Sequence, residues 1–333
     1  MNNANVGGIV LLAVKSGAGS AYKNMCAERF EEEARKTGKP FRIVYLTNVG
    51  GSYNMLGETL RLTREVLLEV SDFRRENCPL SALTLGVKCG TSDATSGIAG
   101  NPCVGAAFDQ LIRAGGTAFF SETTEIIGAE DLVAKRAVNE SVAKKILSAA
   151  RHWEDKAKAT GEDIRKINPI PANIAAGISS LEEKSLGAIA KSGTSPIQDV
   201  LKYAEMPKGS GLYFVDSWMS SLSLPLCLTA CGATIMLYQM GGGKIAQHPM
   251  MPSINPTVVS PFLYLTGNAI AYSRAPDNFD FDASPIMTEG ASIPEMGTKL
   301  LEHLSAIASG TMTKMETLNY AEQLELYMEG PVL

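Results

Sequence analysis

A polar stretch, VKCGTSDATSGIAGNPCVG at residues 87–105, directly follows an apolar run of strand length. Its glycines allow the backbone to approach a ligand and present N–H groups, and its hydroxyl and amide side chains can bind carboxylate or hydroxyl oxygens. The stretch therefore indicates a cradle for a small oxyanion. A structural turn, in which Ser92 or Asn101 caps a helix, explains the same composition. The stretch matches neither GxxxxGK[ST] nor GxGxxG and does not indicate a nucleotide.

A second group of reactive side chains lies in SETTEIIGAED, residues 121–131. It places Glu122 and Glu125 close to Glu130 and Asp131 at the end of another probable strand. Neighbouring carboxylates can transfer protons or bind a hard divalent cation. They are also typical of the first turn of a helix, where negative charge is favoured, and both interpretations stay open. His248, in a loop rich in glycine and methionine, is a further candidate metal ligand or acid/base.

Apolar runs and amphipathic segments alternate along the chain and indicate the elements that position these groups. Strands are predicted at residues 8–14, 41–46, 83–87, 117–121, 212–216 and 233–238, and helices at 21–36, 59–70, about 132–160, 181–191 and 296–309. This alternation predicts an α/β fold with a parallel sheet, whose ligand sites lie beyond the carboxyl ends of the strands. Three strand ends are polar: Lys88-Cys89-Gly90, residues 121–125, and Asp216-Ser217.

The composition restricts the class of partner. The 333 residues are 45% hydrophobic and 20% charged, with a formal net charge of -5, so neither nucleic acid nor an anionic membrane is expected as a partner. No apolar run approaches the roughly 18 to 20 residues of a membrane helix, and the first residues lack the features of a signal peptide. The six cysteines include no CxxC pair. We therefore expect a cytoplasmic protein with reduced thiols.

Two long spans, LGVKCGTSDATSGIAGNPCVGAAFDQLIRAGGTAFFSETTEIIGAEDL and EKSLGAIAKSGTSPI, resemble the large carboxy-terminal part of the altronate/galactarate dehydratase family. That family also includes the large subunit of sulfolactate sulfo-lyase. The resemblance implies a partial Rossmann-like parallel sheet, followed by a larger α/β C-terminal domain of the dehydratase type. It further implies a lyase that removes water, or sulfite, from a hydroxy acid, commonly with Fe²⁺ or another divalent metal.

The family motifs can be followed residue by residue. The pattern KCGGSD survives as Lys88, Cys89, Gly90, Ser92 and Asp93, with Ser96, Gly97, Asn101 and Pro102 matching beyond it, while Thr91 replaces a glycine. The pattern SET.EI.GAE is kept with Ser121, Glu122 and Glu125, although Asp131 stands where the family has a histidine. The pattern NPSPGNK...EKSLG is kept with Asn168, Pro169, Asn173, Glu183, Lys184 and Ser185, although Ile174 replaces a lysine.

Two other family motifs are altered. The family's DTPGYDPVS.TGQVAGG becomes DSWMSSLSLPLCLTACG, which retains Asp216 but loses the glycine turn and the Gly-Gln pair. Its TTGRGS.FGCKP becomes QMGGGKIAQHPM, in which Gly242 replaces an arginine suited to holding a carboxylate. A site changed this far is not expected to bind a long, doubly charged sugar acid in the family's manner.

The family's intact chain begins further upstream, so the resemblance also concerns organisation. It implies a partial Rossmann-like domain at residues 1–80 and a dehydratase-like C-terminal domain at residues 81–333. A separate small subunit would supply the missing upstream half-domain. We expect a homo-oligomer, or a hetero-oligomer with that subunit, because an open sheet edge favours aggregation.

The resulting hypothesis is a hydro-lyase that is active either alone or only in complex with a second subunit. It removes the proton beside a carboxylate and expels a β-hydroxyl. Glu122, Glu125 and Lys184 are the predicted catalytic residues, and Cys89 and His248 are the candidate metal ligands. The predicted substrate-binding residues are Lys88, Ser92, Asp93, Ser96, Asn101, Asn168, Asn173 and Asp216. Two alternatives remain: a sulfo-lyase-like large subunit, and a non-catalytic paralogue that serves as a binding or scaffold subunit.

Overall fold

A computed structural model describes residues 1–13, 27–242, 255–319 and 325–326. The described chain divides into two compact units, Met1–Asn77 and Cys78–Leu333. Within the described residues, no helix is both long and apolar enough to cross a membrane. His248 lies outside the described residues.

The unit Met1–Asn77 is a small α/β element. Its described strands and helices are β1 (Ile9–Ala13), α1 (Ala27–Thr37), β2 (Phe41–Tyr45), α2 (Leu46–Val49) and α3 (Ser52–Ser71). The two strands pair in parallel, and α3 packs against both and buries Leu62 and Val66. Three apolar side chains at helical spacing on α3 remain exposed: Tyr53 is 91%, Leu56 59% and Leu60 63% exposed.

The unit Cys78–Leu333 is built on a parallel sheet with the order β5-β6-β4-β3-β7-β8-β9. Its described strands are β3 (Thr84–Gly90), β4 (Thr117–Phe120), β5 (Ile197–Leu201), β6 (Gly211–Val215), β7 (Ile235–Met240), β8 (Phe262–Thr266) and β9 (Phe281–Asp282). The chain runs from β3 to β4 on one side and later returns to β7 on the other. The ends of β3 and its neighbours are therefore the expected ligand position.

Helices cover both faces of this sheet. The described helices are α4 (Asn101–Arg113), α5 (Glu130–Ala134), α6 (Glu140–Ala159), α7 (Ile164–Ile167), α8 (Pro171–Ala175), α9 (Leu181–Ile189), α10 (Ser223–Ala230), α11 (Ala269–Arg274), α12 (Pro285–Thr288), α13 (Ile293–Ala308) and α14 (Lys314–Leu318). A π-helical turn, Ser96–Gly100, leads into α4. Short 3₁₀ turns occupy Thr123–Glu125 and Ala190–Ser192.

Alternating side chains of the strands enter two cores, as the pleat of a strand requires. In β4, Phe120 belongs to the core formed with α4, α6 and α13, whereas Phe119 belongs to the core formed with α10. Because both faces are buried, the central strands are mostly apolar rather than alternating with polar residues. Val87 of β3 and Val215 of β6 are likewise fully buried.

The two edges of the larger sheet are short or covered. At β5, residues 136–138 pair with Ile197, and the Asp199 carboxylate accepts a hydrogen bond from the Val200 N–H at 2.8 Å. Lys145 Nζ lies 2.6 Å from the same carboxylate. At the other edge, β9 has two residues, Phe281 and Asp282.

The predicted fold class is confirmed, and each of the six predicted strands corresponds to an observed one within a few residues. The sequence interpretation missed β5, β8 and β9. The β5 segment IQDVL carries two polar residues because it lies at the sheet edge, and β9 is too short to produce a pattern. The β8 segment FLYLT is an apolar run of strand length and could have been recognised.

Candidate functional site

Side chains from the ends of β3 and β4 meet in the interior of the larger unit. Lys88 and Cys89 lie in the last residues of β3, while Glu122 and Glu125 follow β4. Lys88 Nζ is 3.0 Å from Glu122 Oε1, and the Cys89 N–H donates to Glu122 Oε2 at 3.0 Å. The Cys89 thiol donates to Glu125 Oε2 at 2.9 Å. All four side chains are buried.

Lys191 completes this group, and the sequence interpretation did not identify it as a site residue. It lies in the 3₁₀ turn after α9 and is 1% exposed. Its Nζ is 3.0 Å from Cys89 Sγ and 3.2 Å from Glu125 Oε2, and it forms an ion pair with Glu122. Its one sequence signal was its position in the family-like span EKSLGAIAKSGTSPI. We name Lys88, Cys89, Glu122, Glu125 and Lys191 the buried charge cluster.

The electrostatics of the cluster follow from burial and from the opposed charges. Burial raises the pKa of Glu125, but attraction by Lys191, Lys184 and Lys88 outweighs this and lowers its pKa to about 2. Burial and the two carboxylates raise the pKa of the Cys89 thiol well above its ordinary value. Burial lowers the pKa values of Lys88 and Lys191, but the neighbouring anionic groups raise both above the ordinary value. At neutral pH, Glu125 is therefore a carboxylate, both lysines are charged and Cys89 is a thiol.

The cluster also contains a donor set that could hold a metal ion. One ligand atom each from Cys89, Glu122 and Glu125 lies within 4.8 Å of the others, and all three residues are buried. Sulfur and carboxylate oxygen together suit Fe²⁺ or Zn²⁺ better than Mg²⁺ or Ca²⁺. Lys191 Nζ contacts all three donors and already provides positive charge there. A bound ion and the lysine ammonium would therefore compete for this position.

A cleft of about 250 Å³ lies between the π-helical turn and α9. Its lining residues are Ser92, Ala94, Ser96, Gly97, Ile98, Asn101, Ile178, Glu183, Lys184, Leu186, Gly187 and Ala188. The two elements approach closely at glycines, since a Cβ on Gly97 would lie 3.1 Å from the Cα of Gly187. Asn101 Nδ2 donates to the Gly187 carbonyl at 2.8 Å, and Asn101 Oδ1 has no hydrogen-bond partner among the described residues.

The structure brings several predicted substrate-binding residues to this cleft. Ser92, Ser96 and Asn101 line it together with Lys184, a predicted catalytic residue. Lys184 Nζ donates to Asn168 Oδ1 at 2.7 Å. Because its charge also lowers the pKa of Glu125, Lys184 connects the cleft electrostatically with the buried charge cluster. Glu122 does not line the cleft and is fully buried.

Three other predicted substrate-binding residues bind protein groups. Asn173 Nδ2 donates to the Ser92 carbonyl at 2.9 Å. Asp93 accepts hydrogen bonds from the Ser96 N–H and from Asn268 Nδ2. Asp216 Oδ1 accepts from Thr123 Oγ1 and Trp153 Nε1, and Asp216 borders a different cavity of about 820 Å³ beside α6 and β5. In this structure these side chains hold loops in place.

A parallel α/β sheet with carboxylates, buried lysines and a polar cleft at its strand ends defines the class of protein, an α/β protein with a small-molecule type of cleft at the ends of its strands. The family is shown by comparison with known proteins. The model of the D-galactarate/altronate dehydratase C-terminal region matches residues 80–331, and the chain belongs to this family. The resemblance inferred from the sequence motifs is thereby confirmed.

Three proteins that are similar in sequence to this chain are named as lyases or lyase subunits. Over 324 residues the chain is 31% identical to the (2R)-sulfolactate sulfo-lyase subunit beta of Chromohalobacter salexigens, covering 96% of this chain and 78% of that protein. It is 34% identical to galactarate dehydratase (L-threo-forming) of Escherichia coli, covering 85% and 52%, and 33% identical to altronate dehydratase of Bacillus subtilis, covering 82% and 52%. The chain thus spans about half the length of these dehydratases. The relatives support the expected general class, a lyase that acts on hydroxy acids.

Proposed function

We propose that this chain is the catalytic part of a lyase that removes water from a small hydroxy carboxylate. The observation that carries the proposal is the convergence of Glu122 and Glu125 with two buried lysines, linked electrostatically to a cleft that contains Lys184. Elimination beside a carboxylate requires a base, an acid and positive charge for the enolate. These chemical groups are present together here.

The proposed reaction starts with the substrate carboxylate beside Lys184 and its hydroxyls against Ser92, Ser96 and Asn101. A carboxylate of the Glu122/Glu125 pair, neither of which lines the cleft in this structure, removes the proton from the carbon next to the substrate carboxylate once substrate binding opens the buried charge cluster to the cleft. The electron pair of that C–H bond forms a carbon–carbon double bond as the bond to the β-hydroxyl breaks. The departing hydroxide takes up the proton now held by that carboxyl group and leaves as water, and the enol, which carries the hydroxyl of the α-carbon, rearranges to a keto acid. Lys184 stabilises the negative charge that develops on the carboxylate.

The assay should use a set of acids that differ in length and leaving group. Galactarate, altronate and (2R)-sulfolactate are the substrates suggested by the names of the relatives. Formation of a keto acid, followed by NMR, would support the proposed reaction. The substitution Glu122→Gln keeps the size of the side chain but removes proton transfer, and we expect turnover to fall by about 10²- to 10⁴-fold. Glu182→Gln, at an exposed position on α9, is the matched control, and wild-type turnover in E122Q would exclude Glu122 from the mechanism.

Elimination of sulfite is the second candidate, and the extent of the match favours it. The sulfo-lyase subunit is matched over 78% of its own length, compared with 52% for each dehydratase. Sulfite leaves as a stable anion without added protonation, so this reaction needs the base and the enolate stabilisation alone. Release of sulfite from sulfolactate, with no keto acid formed from galactarate or altronate, would replace the hydro-lyase proposal. If none of these acids is turned over in the presence of all co-purifying chains, the result would support the alternative of a non-catalytic binding or scaffold subunit.

We propose Fe²⁺ as the metal, on the basis of the family resemblance and the donor set. Cys89 as its thiolate, Glu122 and Glu125 would hold the ion in place of the Lys191 ammonium, and the ion would supply Lewis-acid charge to a substrate oxygen. Metal analysis after anaerobic purification tests this proposal without an activity assay. We expect bound iron in the wild type and a loss of most of it in Cys89→Ser. Cys78→Ser, which alters an exposed thiol, is the control; equal iron content in all three proteins would contradict the assignment.

We further propose that the chain functions in the cytoplasm and assembles with other subunits. One relative is named as a subunit beta, which supports an assembly of more than one chain. The described part of Met1–Asn77 has two sheet strands and exposed apolar residues on α3, a combination that a partner would stabilise. The proposed domains are residues 1–80 and 81–333. A small subunit that supplies the upstream half-domain, or a second copy of this chain, would meet this need.

A further inference from the structure

The backbone of Glu122 has an unusual conformation that must be maintained by its surroundings. Its φ of 70° and ψ of 64° lie in the left-handed region, which residues other than glycine rarely adopt. This conformation directs the carboxylate toward Lys88, Cys89 and Lys191. Such strain persists at functional sites when neighbouring interactions fix the backbone.

Thr123, the next residue, supplies those interactions. Its N–H donates to the Ser217 carbonyl at 3.2 Å, and its Oγ1 accepts from the Ser217 N–H at 3.1 Å. The same hydroxyl donates its proton to Asp216 Oδ1 at 2.7 Å. These three hydrogen bonds, which we name the Thr123 clamp, join the turn after β4 to the end of β6.

Asp216 is itself oriented by a second donor. Trp153 Nε1 on α6 donates to Asp216 Oδ1 at 2.9 Å, so one oxygen accepts from both Thr123 and Trp153. Asp216 does not line the 250 Å³ cleft that contains Lys184. Its Oδ1 atom is used by these two hydrogen bonds, which support a role in holding the turn.

We propose that Asp216 is a positioning residue that fixes the Glu122 carboxylate through the Thr123 clamp. This inference rests on the proposed lyase function, in which Glu122 transfers a proton. Without the hydrogen bond from Thr123 to Asp216, the strained backbone of Glu122 relaxes and its carboxylate moves away from the reacting position. Displacements of about 1 Å in a catalytic group lower rates by about 100-fold.

Two substitutions of Asp216 separate positioning from substrate binding. Asp216→Asn retains an oxygen that can accept from Thr123 and Trp153, whereas Asp216→Ala removes it. For a positioning role, D216A lowers kcat by about 100-fold with little change in KM, and D216N stays close to the wild type. Thr123→Val should reproduce the D216A effect, and the double variant D216A/T123V should be no worse than either single one. Asp199→Ala, which alters a partly exposed carboxylate in the middle of the neighbouring strand β5, is the control.

Hydrogen exchange gives a readout that does not depend on turnover. The amide protons of Thr123 and Glu125 should exchange faster in D216A and T123V than in D216N or D199A. If D216A does not fold, the kcat values and exchange rates of T123V and D216N are compared instead. A KM increase shared by D216A and D216N would assign Asp216 to substrate binding, and wild-type kcat and exchange in both D216A and T123V would overturn the proposal. Absence of turnover in the wild type would refute the lyase function, and the exchange rates would then decide the clamp alone.

Discussion

Lys184 shows how a single side chain can serve both parts of the site. It lines the cleft, donates to Asn168, and lowers the pKa of Glu125 through its charge. It is 8% exposed, so water screens its charge weakly. A substrate carboxylate in the cleft would therefore meet one strong positive charge close to the proposed acid/base pair.

Removal of this charge gives the first prediction at the residue scale. Lys184→Met keeps most of the apolar stem, and we expect kcat/KM to fall by about 10- to 100-fold, the loss of one charge-assisted hydrogen bond. Steady-state kinetics with the best substrate measures this effect. Lys202→Met, which alters an exposed lysine, should have no effect. Equal kcat/KM in K184M and the wild type would remove Lys184 from carboxylate recognition.

The residue scale also shows the limit of sequence interpretation. Glu122, Glu125 and Lys88 could be selected because they stand in motifs at strand ends, and the structure brings them together. Lys191 was missed because it lies 69 residues beyond Glu122 and at no strand end. Its contact with Cys89 depends on how α9 packs against α4 and on how the turn Ala190–Ser192 packs against α4 and β4, and no local pattern in the chain encodes that packing.

At the scale of elements, the loop that follows Lys191 is anchored to α4. The Asp109 carboxylate accepts hydrogen bonds from the N–H and hydroxyl groups of Thr194 and Ser195. Arg136 donates to the Ser192 hydroxyl from the other side. Because Lys191 lies directly before this loop, the anchor fixes the turn that places its ammonium in the buried charge cluster.

The anchor leads to a prediction about stability and pH. Burial raises the pKa of Asp109, but its hydrogen bonds outweigh this and lower the pKa below the ordinary value. A carboxyl with a lowered folded-state pKa stabilises the protein above its unfolded pKa of about 3.9 and loses that contribution as the pH falls through the folded value. At pH 7, Asp109→Asn should reduce the free energy of unfolding by about 1–3 kcal/mol.

Urea unfolding at a series of pH values tests this prediction. The difference in unfolding free energy between wild type and D109N should be constant near neutral pH and should shrink below about pH 4. Asp155→Asn, at an exposed position on α6, should give no such difference. A D109N deficit that persists unchanged in acid would show that charge is not the basis of the anchor.

At the element scale, the parallel sheet was predictable because its central strands are buried on both faces and read as continuous apolar runs. The register and the order β5-β6-β4-β3-β7-β8-β9 were not, since they depend on connections between distant segments. For the same reason the hydrogen bonds of Asp216 could not be predicted, and its motif led only to the prediction of a substrate-binding residue. Its hydrogen bonds to Thr123 and Trp153 join segments 93 and 63 residues away.

For the whole molecule, the unit Met1–Asn77 gives a prediction about assembly. Tyr53, Leu56 and Leu60 form an exposed apolar row on α3. If this row contacts another subunit, Leu60→Glu should shift the sedimenting species toward the single chain, because a buried carboxylate without a partner is unfavourable. Asn54→Glu adds the same charge at another exposed position of α3 and should not change the mass. Sedimentation velocity distinguishes these outcomes, and an unchanged mass in L60E would place the interface elsewhere.

The covered and shortened edges of the larger sheet have a consequence for handling the protein. An open margin in a sheet of this width would act as a template on which other chains add strands and grow into fibres. Here the Asp199 carboxylate accepts a hydrogen bond from the Val200 N–H, and residues 136–138 pair with Ile197 at the start of β5. At the opposite edge, β9 has two residues that could pair with another strand. Concentrated solutions of the folded protein should therefore not form amyloid-like fibres through either edge strand of this sheet.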